Sequence, residues 1–501
     1  MRSKILGLFF FFSSILAFSQ ESARKGEIAV EASGILSSTN NTPFFLRANH
    51  YGENPREAPI MQLAGEYHQE YDSLYTNKKK LKGFNYGYGI RAVGNVGQTN
   101  QLLLPEIYGK VRLGIFEFSA GRRKEVFGLM DTTGTSGSYI WSGNALPIPK
   151  LQVSLPNYVP IVKSGLISIK GNFAHGWFGN TDSVQHALLH QKSLYVRIGK
   201  PQWKFKFQAG FNHQVQWGGK PTVPFYDEDT KQMISKFSSD FATFVKVVTG
   251  VSLNRNLNAI NDPNGAPANE ALNRAGNHLG TIDLALSYEF KTARLLLYRQ
   301  SIYEDGSLFY LSNIGDGLNG LSVKFKYPKK TGFLLSAITF EYLNTMSQGG
   351  PTDSENFVPE LRGLDNYFNN SIYRDGWTYK GTVIGTPFIQ NYQDLPKKLA
   401  EDISRPLSNY IYNNRIEAYY LKIKAEYKTI NLALRYAFST NYGTYSYPFS
   451  SAKRNSVGIS GSKMLRNGDL IKCHFALDEG KLYPSQVGAQ ITYKKFFSSP
   501  F

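Results

Sequence analysis

Leu194–Gly219 reads LYVRIGKPQWKFKFQAGFNHQVQWGG. From Trp203 the large apolar residues take every second position, namely Trp203, Phe205, Phe207, Ala209 and Phe211, with Lys204, Lys206, Gln208, Gly210 and Asn212 between them. A period of two is a β-strand with one apolar and one polar face. Upstream, Leu194, Val196 and Ile198 alternate with Tyr195 and Arg197, and Gly199-Lys200-Pro201-Gln202 supplies a tight turn, so the stretch predicts a hairpin. A soluble sandwich would bury the apolar face on a second sheet. Here the polar face carries cations and the pattern recurs, which points to a closed barrel with its apolar face towards lipid and its polar face lining the interior.

The same alternation returns at Ile28 to Gly34, Phe84 to Ala92, Ile282 to Phe290, Leu321 to Tyr327, Tyr419 to Ala425 and Leu432 to Phe438. Ile107 to Leu113 and Phe116 to Ala120 predict a hairpin around Gly114-Ile115. Tight turns fall near Gly114, Gly199–Gln202, Lys291-Thr292, Pro328–Thr331 and Lys428-Thr429. Between them lie long polar excursions, Lys124 to Pro149, Gly218 to Asn277 and Thr345 to Asn413. Short turns at one end and long loops at the other are the asymmetry of outer-membrane barrels. With strand direction forced to alternate, the chain predicts an all-β, transmembrane antiparallel β-barrel of about 18 strands, with short periplasmic turns and long extracellular loops. Gln152 to Lys170 and Met61 to Tyr75 are weakly patterned, and Thr292 to Ile302 is ambiguous in phase.

Composition agrees. Met1–Ser19 has Arg2 and Lys4, an apolar core from Ile5 to Phe18 and a small-x-small Ala17-Phe18-Ser19 site, the pattern of a signal peptide cut before Gln20. Residues 20–501 are then expected to form one barrel domain. Mean hydropathy is −0.32, and no later run is long and apolar enough for a helical membrane span. The 32 Tyr and 34 Phe suit aromatic girdles at both membrane interfaces. The single cysteine, Cys473, lies on the stripe Ile471, Cys473, Phe475, Leu477 and reads as an inert lipid-facing residue. The formal net charge of +18 cannot face lipid and is expected in the lumen and loops, where it attracts anions such as acidic glycans or lipopolysaccharide phosphates. Nucleic acid is excluded as a partner by the export signal.

Within the loops, Ile234 to Val248 places Phe237, Phe241, Phe244 and Val248 at helical spacing and predicts a short amphipathic helix over the barrel mouth. Asn261 to Asn277 reads as a mobile segment. No globular plug domain precedes the first strand, which argues against a TonB-type transporter. The last strand, Val487, Ala489, Ile491, Tyr493 and Phe497, runs to Phe501, and a closing strand with an aromatic end is what the barrel-assembly machinery receives.

Signatures of catalysis are missing. His186 and His190 are four apart, but Ala187 stands where a zincin needs Glu, so neither a metal site nor a cofactor is expected. No Gly-x-Ser-x-Gly elbow or phosphate-cradling loop occurs. Glu304-Asp305 reads as the start of a loop, because neighbours on a strand face opposite ways. Sugar binding needs flat aromatic faces together with planar or charged donors. Three places offer both: Arg122 and Arg123 in GRRK, His213, Gln216 and Trp217 in HQVQWGG, and Arg374, Trp377, Tyr379 and Lys380 in YRDGWTYK.

Several of these stretches also carry a family likeness. AGRRKEVFG (120–128), SGNALPIPKLQ (142–152), FNHQVQWGG (211–219), YRQSIYEDGS (298–307), NYFNNSIYRDGWTYKGTVIGTPF (366–388) and NYGTYSYPFS (441–450) resemble segments of the Wzi-type capsule assembly proteins. The likeness covers essentially the whole mature chain, and GWTYKGTVIGTPF is its most specific part. It implies an outer-membrane barrel that acts as a lectin and holds exported capsular polysaccharide at the cell surface, without being an export channel or an enzyme. The alternative from the residues alone is a porin-like diffusion channel for anions or oligosaccharides; a third is an outer-membrane hydrolase, which would need a catalytic acid or serine.

Overall fold

The computed structural model of the chain describes residues 26–71, 84–180, 183–228, 231–251, 274–304, 307–327, 332–351, 363–400, 403, 410–483 and 485–498. The leader, the turn at Pro328–Thr331, Phe501 and all but the last four residues of Asn261–Asn277 lie outside them. Eighteen strands form one closed antiparallel sheet. In chain order they are β1 (Glu27–Ser37), β2 (Ile60–Gln69), β3 (Phe84–Gly97), β4 (Gln101–Leu113), β5 (Phe116–Arg122), β6 (Lys150–Pro160), β7 (Ile167–Trp177), β8 (Leu188–Ile198) and β9 (Phe205–Trp217). The second half comprises β10 (Asn277–Glu289), β11 (Ala293–Glu304), β12 (Gly317–Phe325), β13 (Phe333–Asn344), β14 (Ile416–Tyr427), β15 (Ile430–Gly443), β16 (Pro448–Met464), β17 (Leu470–Gly480) and β18 (Gln486–Ser498).

Each strand pairs with its neighbour in sequence, and β1 pairs with β18 from Glu27↔Ser498 to Ser37↔Gly488, which closes the ring. Closure leaves no sheet edge, so every strand's backbone groups find partners without water. The opening hairpin is β8–β9, with Phe207 opposite Ile198; its second strand starts at Phe205 rather than Trp203, because residues 201–204 complete the turn.

The alternation sorts the side chains as expected. Val30, Ile90, Ile107, Phe173, Phe205, Leu284, Leu321, Phe340, Leu434, Phe475 and Ile491 are exposed on the outside. Ser33, Gln62, Arg91, Lys110, Gln191, Asp283, Gln300, Glu341, Ser456 and Asp478 are buried on the inside. Cys473 is a free thiol on the outer face between Ile471 and Phe475. The connections at the end holding Glu27 and Ser498 include Gly114-Ile115, Lys291-Thr292 and Lys428-Thr429, whereas 123–149, 218–276 and 345–415 all leave the opposite end.

Two of the connections at that end turn inward. Residues 38–59, with helix α1 (Phe44–Arg47), and residues 123–149 descend into the lumen and build a core there with Ile35, Leu279, Ile302 and Tyr420 of the wall. Polar anchors fix the descent. Leu129 N donates to Asp283 Oδ2 (2.8 Å), Ser136 N to Glu341 Oε2 (2.6 Å), Tyr139 N to Gln300 Oε1 (2.9 Å) and Phe44 N to Asp478 Oδ2 (2.8 Å). Arg91 of β3 pairs with Glu53 (2.9 Å), Glu66 (2.5 Å) and Glu31 (3.4 Å), and Lys124 reaches Glu53 at 2.5 Å. Breaking one partner out of such a buried pair costs about 3–5 kcal/mol, so the network pins both loops to the wall.

Two expectations are corrected. The amphipathic helix, α2, runs only Phe241–Thr249: Asp240 caps it by accepting from Thr243 N, and Ile234 belongs to a small strand instead. It also packs outside the barrel rather than over the mouth. Phe244 lies against Trp217, His175 and His190, which share the outward parity of Phe211, Phe173 and Leu194. Glu304 ends β11 as a buried residue instead of starting a loop, and accepts from Tyr139 Oη (3.2 Å) and Phe368 N (3.0 Å); Asp305 lies outside the described residues.

A filled lumen predicts a barrel that conducts little. In planar bilayers the intact protein should give near-baseline current, and replacing residues 129–142 with a Gly-Ser linker should produce stepwise openings.

Candidate binding site at the extracellular mouth

The described residues of the loop 345–415 cap the core built by the other two. Trp377 is fully buried; its Nε1 donates to Ile140 O (2.8 Å) and its ring packs on Trp141 and Phe178. Val383, Ile384 and Phe388 are buried with it, so the GWTYKGTVIGTPF segment is mostly internal structure. Thr378–Tyr379 and Thr382–Val383 pair across Lys380-Gly381, with φ of 51° and 73° at the two turn residues. Two successive left-handed residues make a type I′ hairpin turn, which carries Lys380 to the surface while Tyr379 points back into the core.

Two clefts open beside this cap. One, of about 590 Å³, is lined by Arg47, Arg56, Asn144, Tyr379, Lys380 and Gln393, among others. Asp394 holds its two arginines in place, Arg47 at 2.5 Å and Arg56 at 2.7 Å. Burial alone would push the Asp394 carboxyl up, but the two guanidiniums hold it at about 2. Arg122 donates to Tyr379 Oη at 3.0 Å from below.

The second cleft, of about 520 Å³, is lined by Asn366, Asn369, Asn370, Ser371, Arg374, Tyr410, Tyr412 and Tyr447. Its rings form a corner: Tyr410 to Tyr412 is 4.8 Å, Tyr412 to Tyr447 is 5.1 Å, and Tyr447 is 44% exposed. The amides are pre-set. Asn369 Nδ2 donates to Asn366 Oδ1 (2.9 Å) and Ile411 O (2.8 Å), and Asn366 Nδ2 donates to Tyr410 Oη (3.1 Å). Arg374 is exposed and lines the cleft, and its Nε donates to Ser371 O (3.3 Å), the one hydrogen bond it makes among the described residues. Flat rings, fixed amides and an arginine fork are what pyranose faces, hydroxyls and carboxylates require.

The residues expected from sequence are dispersed. Arg374, Tyr379 and Lys380 line the clefts, and Arg122 supports one of them. Arg123 is instead bound to Glu117 (2.7 Å) and Glu125 (2.6 Å). Burial would raise the Glu125 carboxyl, yet Lys150 and Arg123 hold it at about 2. HQVQWGG divides between the faces of β9: Gln216 points into the lumen, whereas His213 and Trp217 point outward, His213 against His278 (3.0 Å) and Trp217 under α2. Trp217 and Trp377 are 2% and 0% exposed, so neither offers an open ring face. The sequence reading missed Arg47, Arg56, Tyr410, Tyr412 and Tyr447. Its available signal was Tyr410-Ile411-Tyr412, two tyrosines at a two-residue spacing that puts both on one side of an extended segment. Among the described residues no cluster of three or more His, Cys, Asp or Glu could hold a metal.

The Asp394 clasp sets a pH dependence. Its carboxyl titrates below the usual value near 3.9, so its stabilisation is complete above about pH 4 and is lost as pH falls towards about 2. Heat-induced unfolding followed from pH 6 to 2 should show a drop in that window, and Asp394→Asn should lower the midpoint at pH 6 and flatten the acid limb.

Comparisons with known proteins place this geometry. The model of the family "Capsule assembly protein Wzi" matches residues 16–395. No curated protein matches the chain. Among solved structures, Wzi of Escherichia coli, described as an outer-membrane, carbohydrate-binding β-barrel involved in group 1 capsule assembly, aligns at TM-score 0.58 and 13% identity over 94% of this chain and 85% of that one. OccK5 (OpdH) of Pseudomonas aeruginosa aligns at TM-score 0.45 and 8% identity, covering 95% of this chain and 98% of its own. The chain is an outer-membrane β-barrel and belongs to the Wzi family of capsule assembly proteins.

Proposed function

We propose that this protein is a lectin-like barrel that binds acidic capsular polysaccharide at the extracellular mouth and attaches it to the cell surface. The observation that carries the reading is the pair of clefts above a filled lumen, one with a tyrosine corner, fixed asparagine amides and Arg374, the other with Arg47, Arg56 and Lys380. Tyrosine rings take the apolar faces of sugars, while the cations take carboxylates or phosphates along the polymer. E. coli Wzi, with the same fold, is described as carbohydrate-binding, in support of this ligand class. The role is binding without turnover, with no cofactor. Outer-membrane lipid and lipopolysaccharide surround the belt, and the barrel-assembly machinery inserts it.

The diffusion-channel reading is disfavoured by the core that loops 38–59 and 123–149 build in the lumen. A strain lacking the protein should make and export polymer but shed it into the medium; a strain that stops exporting polymer contradicts the proposal. On a glycan array, Arg374→Ala/Tyr447→Ala should weaken binding of acidic glycans about tenfold, and binding should fall as salt rises. Unchanged binding in this variant would remove the tyrosine cleft from the site.

A further inference from the structure

Beneath the plug, the inner wall of β12–β17 carries a set of cations with few carboxylates to match them. Lys324 stands across Ala337 from Lys424, and Ala433 separates Lys424 from Ser460, which pairs with His474. In the next row Lys422 of β14 lies directly opposite Arg435 of β15. Two like charges facing each other across a sheet repel. Lys472 of β17 follows two residues before His474, opposite Ser462.

The wall itself carries three carboxylates, Glu341 of β13, Glu426 two residues from Lys424 on β14, and Asp478 of β17, which is taken up by Phe44 N, Ser456 and Gln486; a fourth, Asp131, faces it from the loop 123–149. Asp131 of the plug pairs with Lys324 at 2.7 Å. Glu341 of β13 is occupied by Thr135, Ser136 and Tyr298. Among the described residues Lys422 donates to Thr133 O alone (3.0 Å), and Arg435 donates to Phe45 O (3.1 Å) with its Cζ 4.8 Å from the centre of that ring. Lys424 and Lys472 make no hydrogen bond or close ion pair among the described residues, Lys424 feeling Asp131 only at longer range, and both are half-buried.

The positions between the cations are small: Ala337, Ala433, Gly458, Ser460 and Ser462. The wall is therefore a shallow basin, roofed by Asp131, Thr133, Phe45 and His50 of the plug, with His50 6.2 Å from His474. Lys424, Lys472 and Lys324 stand within three residues of the periplasmic termini of their strands. The wall of β18 and β1–β4 differs, since there Arg91, Lys494 and Lys110 each have a glutamate.

We infer that this basin is a second anion-binding site, entered from the periplasm and separated from the mouth by the plug, and that it takes a linear polyanion of the acidic-saccharide type. From Lys324 on β12 to Lys472 on β17 is five strand spacings, about 24 Å around the wall, more than one small anion spans. Lipid is excluded because the site lies inside the ring. A cleft lined by one sign of charge raises the local concentration of the opposite ion. The saccharide class rests on the reading under Proposed function; the cation basin itself does not.

The test uses the full-length barrel in detergent, titrated calorimetrically with a heparin hexasaccharide and separately with inorganic phosphate. The variants are Lys424→Gln/Lys472→Gln, whose side chains make no hydrogen bond or close ion pair among the described residues, and the mouth variant Arg374→Ala/Tyr447→Ala. In the mouth-variant background, adding Lys424→Gln/Lys472→Gln should weaken hexasaccharide binding at least tenfold, with a flatter salt dependence. The hexasaccharide should raise the thermal midpoint of the mouth variant and leave unmoved that of the variant carrying both sets of substitutions, while the lumen variant's own midpoint without ligand is no lower than wild type's. Hexasaccharide binding that the two lysine substitutions leave unchanged in the mouth-variant background overturns the inference, and phosphate binding as tight as the hexasaccharide overturns the linear ligand. If the mouth variant alone loses binding, this site falls and the mouth reading stands; if the lumen variant alone loses it, the reverse holds.

Discussion

The pairing of Glu27–Ser37 with Gln486–Ser498 is the constraint on which everything else depends. Inside a bilayer an unpaired backbone amide or carbonyl has no water to turn to. A sheet that spans must therefore meet its own first strand, and the first and last strands of the described chain do so over eleven consecutive residues. Once the ring is closed, the two-residue period divides the side chains between lipid and lumen without further instruction.

Closure creates a second problem, a wide interior, and the chain meets it with its own loops. Residues 38–59 and 123–149 carry enough apolar side chains, Phe44, Leu46, Tyr139, Trp141 and Ile148 among them, to form a core inside the ring. The charges that line the wall become anchors for that core: Arg91 for Glu53, Lys324 for Asp131, Glu341 for Ser136. Excess positive charge therefore serves two purposes. Part of it is spent on holding the plug, and the remainder faces water at the mouth and beneath the plug.

The mouth clefts are products of that same packing. Trp377 anchors the cap to Ile140, the hairpin turn at Lys380-Gly381 projects a cation, and Tyr412 is fixed beneath Tyr447 of the β15–β16 turn. None of the three comes from the same loop as Arg47 and Arg56, which enter from the first long connection. Recognition is thus assembled from loops that meet only because the ring brings their stems side by side.

Alternation in stretches such as Phe205–Phe211 and Ile282–Phe290 was enough to determine the barrel, a count of about eighteen strands and the sorting of long loops to one end, because each depends on neighbours a few residues apart. A helix boundary was less legible: Ile234 and Phe237 keep helical spacing with Phe241, yet Asp240 starts the helix by capping it. Which aromatic residue is free to meet a ligand was not legible at all. Trp377 and Tyr447 look alike in sequence, each a ring in a polar loop, but one is sealed beneath Ile140 and Trp141 while the other stands nearly half exposed. Only the tertiary structure decided that, since burial of a loop residue is set by segments hundreds of positions away. Local periodicity, by contrast, is written residue by residue along the strand.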